Sequence, residues 1–193
     1  MVGQCAIASA KRQGATRVLV VDGIRDRPDV ARSQNAETID FNAEDPVEVV
    51  RDLTGEIGVD RVIDAVGVDA QPPKQGPAAE NLPADTDTFE SERRSAAPEG
   101  DTSGDQWIPG DAPSLAVRWA VQAVAKAGSV GVIGLYPPTL EAFPFGEAMN
   151  RNLTIQAGNC NPTGDTCRGC SMVLAYPDFD QRHVGWLKTV VPM

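Results

Sequence analysis

This sequence is poor in several things, and each shortage excludes a class. Aromatic residues make up only 5% of its 193 residues, so any core is built mainly from Val, Ile, Leu and Ala. Basic residues are outnumbered, 17 Lys and Arg against 27 Asp and Glu, for a net charge of −10. That balance disfavours nucleic acid and anionic membrane surfaces, both of which reward a basic face. No apolar run approaches the ~20 residues that a spanning helix needs, so no integral membrane protein is expected. The start, MVGQCAIASAKRQGA, lacks the basic-then-apolar order of a secretory leader. With four cysteines, three of them late in the chain, a disulfide framework is not expected either. There is a single histidine, His183. The expectation is a cytoplasmic protein of one domain, residues 1–161, with an irregular tail over 162–193.

What the sequence does contain is a strand and helix alternation. Val2 to Gln13 reads as a helix of small residues stopped by Gly14, and Arg17-VLVV-Asp22 as a strand buried on both faces. Asp26 to Asn35 reads as a short helix and Ala36-ETIDF-Asn42 as the next strand. Asp45-Pro46-Val47-Glu48 supplies an N-cap, a proline at the first helical position and a carboxylate three residues on; the helix it opens should end near Gly55. Asp60-RVIDAV-Gly67 is another apolar strand. After Pro113 come a helix carrying Leu115, Val117, Trp119, Val121 and Val124 and terminated by Gly128, a strand Val130-GVIGL-Tyr136, one or two helical turns over Phe145 to Arg151, and a last strand Leu153-TIQA. Short connections between alternating elements mean parallel βαβ units.

Between them lies a stretch of different character. Val68 to Ala112 holds ten acids against three bases, six prolines and few large apolar residues, and so carries −7 of the net charge. Such a composition buries too little surface to offset its ordering entropy, which predicts a largely disordered acidic insertion that is also the most protease-sensitive region before the tail. Trp107-Ile108 is the one pair in it suited to docking on the folded part.

The chemistry lies at the ends of the strands. Gly3 opens a helix, and nineteen positions later Asp22 ends a buried strand. That is the spacing between the last glycine of a dinucleotide fingerprint and the acid that takes the ribose hydroxyls of NAD while repelling the 2′-phosphate of NADP. An Asp that merely terminates a strand gives the same spacing. The late Cys160, Cys167, Cys170 and His183 have the types of a Cys3His zinc site, but the segment lacks the patterned surround of a small zinc module, so no metal ligand is assigned. Cys5 reads as a small packing residue.

Taken together, MVGQCAIASAKRQGATRVLVVD, ETIDF, GVDRVIDAVG and SVGVIGLY resemble the coenzyme domain of zinc-dependent medium-chain alcohol dehydrogenases, and FPFGEAMNRNLTIQAGNCN resembles their formaldehyde-dehydrogenase-like branch. The resemblance covers Val2 to Val66 and Pro113 to Asn161. It implies an NAD-binding Rossmann-type fold and assigns cofactor contacts to Gly3, Asp22, Arg27, Val66, Gly67, Gly134 and Leu135. Arg27 would flank the adenosine, Val66 and Gly67 would border the coenzyme cleft, and Gly134 and Leu135 would lie nearest the nicotinamide. It also implies departures: the chain opens inside the fingerprint, so the doubly wound parallel sheet is expected to lack its first, central strand, and the zinc-bearing catalytic domain is absent. The expected function is the coenzyme-binding part of an NAD-dependent alcohol or aldehyde dehydrogenase, truncated and inactive alone, with no catalytic residue assigned. The alternatives are a non-catalytic nucleotide-binding or interaction module and a zinc-ribbon protein. The abrupt end of the resemblance at Asn161 leads to the expectation that a shift of reading frame there restores dehydrogenase-like sequence. Codons before Met1 are likewise expected to encode an apolar strand ending in Gly-x-Gly.

Overall fold

The computed structural model describes residues 2–82, 86–97 and 108–158. The first helix, α1 (Val2–Arg12), ends where the sequence places its stop: Gly14 takes φ +89°, the Ala15 N–H donates to the Ala10 carbonyl and the Gly14 N–H to that of Lys11. This six-to-one, five-to-two pair satisfies carbonyls that a helix end otherwise leaves open. Strand β1 (Leu19–Val21), helix α2 (Arg27–Ser33) and strand β2 (Glu37–Ile39) follow, with β1 and β2 paired in parallel. Val18 and Val20 pack with Ile7, Ala31 and Ala36, so α1 and α2 cover one face of this two-stranded sheet.

Helix α3 (Pro46–Leu53) forms as its sequence dictates. Asp45 Oδ1 accepts from the N–H groups of Val47 at 2.8 Å and Glu48 at 3.1 Å, and Oδ2 accepts from Asn81 Nδ2 at 2.9 Å. Because this buried carboxylate serves both as cap and as tether, Asp45→Ala should cost about 1–2 kcal/mol in urea denaturation, the upper part of the capping range.

A second parallel sheet contains β3 (Val59–Asp64), β4 (Val124–Val132) and β5 (Thr154–Ala157), in the order β3-β4-β5. Between β3 and β4 run a 3-10 turn over Gly67–Asp69, α4 (Pro77–Glu80), α5 (Thr86–Ala96) and α6 (Leu115–Ala123); α7 (Phe145–Asn150) precedes β5. Among the described residues the two sheets share no hydrogen-bonded strand pair. Helix α6 packs on β3 and β4 and against α3, and the Trp119 ring meets Phe41 at 5.7 Å, which ties the second sheet's helix layer to the end of β2. The fold class is α/β with parallel strands in a partial Rossmann-like arrangement, as expected.

Three local expectations change. Among the described residues the strands of the second sheet are covered on one face only: Val62, Val130 and Val132 pack with Ala120 under α6, while Ile63 and Ile133, on the opposite face, are exposed. Val21 is exposed for the same reason. An apolar run does not by itself say which faces find a cover. Next, α6 ends at Ala123 rather than near Gly128. Val124 already pairs with Val59, and the register jumps from there to Ser129 opposite Arg61, so Gly128 lies in a bulge inside β4.

The third change concerns the acidic segment, which is not largely disordered over its described residues. Val68, Ala70, Ala78, Phe89, Ala96 and Ala112 are buried, and Phe89 joins Ala70, Ala112 and Leu115 in one cluster with Leu82 and Trp119 packed against it. Glu92 is only 7% exposed and is held by Arg118. The returning chain bonds back through Gly110 N–H to the Val68 carbonyl and Ala112 N–H to that of Ala70. Composition averages the segment, whereas Phe89, Glu92 and Ala96 share one helical face and need only that face to dock. Ile108 is exposed; Trp107, like residues 162–193, lies outside the described residues.

Candidate functional site

In open parallel sheets ligands sit beyond the carboxyl ends of the strands, and two groups of residues meet that description here. The first is at the end of β1. The Asp22 N–H donates to the Ile39 carbonyl at 3.1 Å, which holds its backbone at the strand end. Its side chain accepts from the Ile24 N–H at 2.9 Å through Oδ1, and Oδ2 stands 3.7 Å from Arg27 Nη1. The carboxylate remains partly open to solvent and keeps acceptor capacity for a diol. Asn42 braces the neighbouring loop: its Nδ2 donates to the Gly23 carbonyl, and its Oδ1 accepts from the Lys74 N–H at 2.9 Å.

The second group joins the ends of β3 and β4. The N–H groups of Ile133 and Gly134 both donate to the Asp64 carbonyl at 2.9 Å, and the Val68 N–H donates to that of Leu135 at 2.9 Å. Gly67 has φ +67°, and a Cβ there would stand 2.5 Å from Leu135 N and O. A Cβ on Gly134 would fall inside van der Waals contact with Gly67 N. The two turns touch backbone to backbone, which only glycine allows. Val66 and Leu135, at the rim, are exposed by 48% and 64%.

The structure thus brings Asp22 and Arg27 together, and separately Val66, Gly67, Gly134 and Leu135. Gly3 stands apart from both. Apart from its chain neighbours and its own helix backbone, no described atom lies within 4 Å of a Cβ built on it, so the tight helix–sheet packing expected of the third fingerprint glycine is not realised among the described residues. An open cleft of about 580 Å³ lies elsewhere, between α5 and residues 140–142, where Thr88, Ser91, Ser95, Glu92 and Arg118 line it; it contains none of the expected cofactor residues.

Sequence reading missed Asp64 and Tyr136. Asp64, at the end of β3, is 4% exposed and accepts from the Tyr136 hydroxyl at 2.6 Å. Burial, followed by the Asp64 charge and that hydrogen bond, pushes the Tyr136 phenol well above its ordinary range, with a backbone hydrogen bond at Val117 opposing. The available signal was an acid inside the apolar run RVIDAVG, which must find partners once buried.

The residues fit a dinucleotide better than a metal. Asp22 offers acceptors at a strand end, and the exposed Val66 and Leu135 flank the contact between the Gly67 and Gly134 turns. Among the described residues no group of three or more His, Cys, Asp or Glu is placed to hold a metal ion, and Cys5 is exposed on α1. Cys160, Cys167, Cys170 and His183 lie outside the described residues. No step through zinc is derived. No described helix is long and apolar enough to cross a membrane.

Comparison with known proteins finds likenesses to zinc-type dehydrogenases. Residues 2–73 match the family profile of zinc-binding dehydrogenases. An alcohol dehydrogenase of Cupriavidus necator is 40% identical over 70 residues, covering 36% of this chain and 19% of that protein. An uncharacterized zinc-type alcohol dehydrogenase-like protein, AdhB of Bacillus subtilis, is 29% identical over 148 residues, 76% of this chain and 32% of its own length. Among solved structures, alcohol dehydrogenase TADH from Thermus sp. ATN1 superposes with a TM-score of 0.51 at 24% identity, covering 81% of this chain and 32% of that one. The 2R,3R-butanediol dehydrogenase from Bacillus subtilis gives 0.53 at 17%, covering 81% and 32%. The structural likenesses speak to the fold, and the chain spans a third or less of the relatives named. Residues 2–73 are therefore similar to a segment of the zinc-binding dehydrogenases, and the fold is partial Rossmann-like.

Proposed function

We propose that this chain is the coenzyme-binding part of an NAD-dependent zinc-type alcohol or aldehyde dehydrogenase of the formaldehyde-dehydrogenase-like branch. The observation that carries the reading is that Asp22 ends β1 and, separately, the joined Val66–Gly67 and Gly134–Leu135 turns end β3 and β4, both at carboxyl ends of parallel strands. The branch rests on the words FPFGEAMNRNLTIQAGNCN, of which α7 and β5 form part. The nicotinamide of such a coenzyme accepts a hydride from an alcohol carbon when bound.

The roles of this chain's residues are binding and orientation. Asp22 would accept from the ribose hydroxyls, and Arg27, beside it, would flank the adenosine while holding the carboxylate in place. Gly67 and Gly134 let the turns after β3 and β4 meet backbone to backbone, and Val66 and Leu135 would supply apolar rims that shed water from the nicotinamide end. Gly3 is retained as a candidate contact for the pyrophosphate end of the helix. No residue is assigned to chemistry on the substrate.

The test is coenzyme discrimination by titration calorimetry. The full chain should bind NAD at least about tenfold more tightly than NADP, since a carboxylate facing a 2′-phosphate forfeits a charged hydrogen bond and adds repulsion. Asp22→Ala should narrow that gap to about threefold. NADP binding as tightly as NAD would remove Asp22 from the role.

A further inference from the structure

The joined turns after β3 and β4 are held by one buried carboxylate. Asp64 Oδ1 accepts from the N–H groups of Val66 and Gly67, both at 2.9 Å, and Oδ2 accepts from the Tyr136 hydroxyl at 2.6 Å. Its backbone carbonyl meanwhile receives the Ile133 and Gly134 N–H groups. A single residue therefore holds the turn after β3 by its side chain and the turn after β4 by its main chain, with Tyr136 clamping the far side. A carboxylate 4% exposed is costly unless so satisfied. For stability alone an apolar residue at this strand end would serve as well. A carboxylate accepting two consecutive N–H groups does something an apolar residue does not: it fixes the direction of the Val66–Gly67 peptide, and with it the backbone groups on the rim.

We infer that Asp64, braced by Tyr136, is a positioning residue that sets the Val66–Gly67 and Gly134–Leu135 rims in the geometry a dinucleotide needs. The inference rests on the coenzyme reading above and adds to it a residue that touches no ligand. It acts through the two turns, by preorganising them.

The test uses the full chain and three variants. Asp64→Ala should weaken NAD binding about tenfold or more, because two rim amides lose their acceptor. Asp64→Asn should restore affinity to within about threefold of the parent, since Oδ1 still accepts both amides and the new Nδ2 donates to the phenol oxygen. Tyr136→Phe should fall between them. A coenzyme-independent readout is the ultraviolet titration of Tyr136 in a Tyr176→Phe background. The phenol should ionise above the ordinary tyrosine range in the parent and move back toward it in Asp64→Asn, where the adjacent charge is gone. If the parent binds NAD and Asp64→Ala binds it equally well, the positioning role is overturned alone. An ordinary parent phenol titration overturns it too, by showing that the clamp is absent. If the parent binds no NAD, the coenzyme reading falls and takes this role with it.

Discussion

Gly67→Ala is expected to lose about 4 kcal/mol of stability, of which the left-handed backbone accounts for ~1 and forced repacking for ~3. The reason is local and severe. At φ +67° the added methyl points at Leu135 N and O, 2.5 Å away, and both are backbone atoms that cannot swing aside. Relief requires parting the ends of β3 and β4, and hence breaking the Val68–Leu135 hydrogen bond. For a chain of this size such a loss lowers the melting temperature by about 10 °C. Gly134→Ala should cost somewhat less, about 3 kcal/mol, since it meets the same interface from the other side without a left-handed backbone. Gly146→Ala is the control: nothing lies within 4 Å of its added methyl, and it sits inside α7, so it should be neutral or stabilising by up to ~1 kcal/mol. Thermal melts of the three variants check this, and a Gly67→Ala melt equal to the parent would mean that the two turns do not touch.

The second large effect is expected at the anchor of the acidic segment. Arg118→Ala should cost about 2 kcal/mol, less than the ~3–5 of a fully buried pair because the guanidinium is partly open to solvent. Glu92 is the buried member: its Oε1 accepts from Arg118 Nη2 at 3.1 Å and its Oε2 from the Ser114 N–H at 3.2 Å. Arg118 Nε also donates to Ser114 Oγ at 2.7 Å. Without the arginine a carboxylate stays in the interior with one partner, and the favourable response is for α5 to swing out. Limited proteolysis should accordingly cut within 86–97 faster in Arg118→Ala than in the parent. Equal cutting in both would show that Phe89 and Ala96 alone hold α5, and that the ion pair adds nothing.

The sequence was most informative where local chemistry decides the outcome. The Asp45-Pro46 cap, the Gly14 stop and the βαβ alternation all follow from backbone requirements that nearby residues meet. Burial was less legible, because it depends on what lies across the sheet: Val20 and Val21 are the same residue type on one strand, yet Val20 packs under a helix and Val21 is exposed. The acidic segment misled for a related reason. Its charge and prolines dominate any average, while its docking rests on Phe89, Glu92 and Ala96 together with a partner, Arg118, that lies 26 residues away from Glu92. Of the candidate site, Asp22 and the strand-end glycines could be read from spacing and resemblance. Asp64 could not be read in the same way, because the Tyr136 hydroxyl that completes its partners lies 72 residues along the chain and meets it only in the fold.

The most direct measurement for the central claim is amide chemical-shift mapping of the isotope-labelled full chain during titration with NAD. A dinucleotide laid across the strand ends should shift Gly23, Val66, Gly67, Gly134 and Leu135 together, in one saturable step with a common dissociation constant. Shifts confined to the cleft lined by Thr88, Ser91 and Ser95, or no shifts at saturating NAD, would contradict the account.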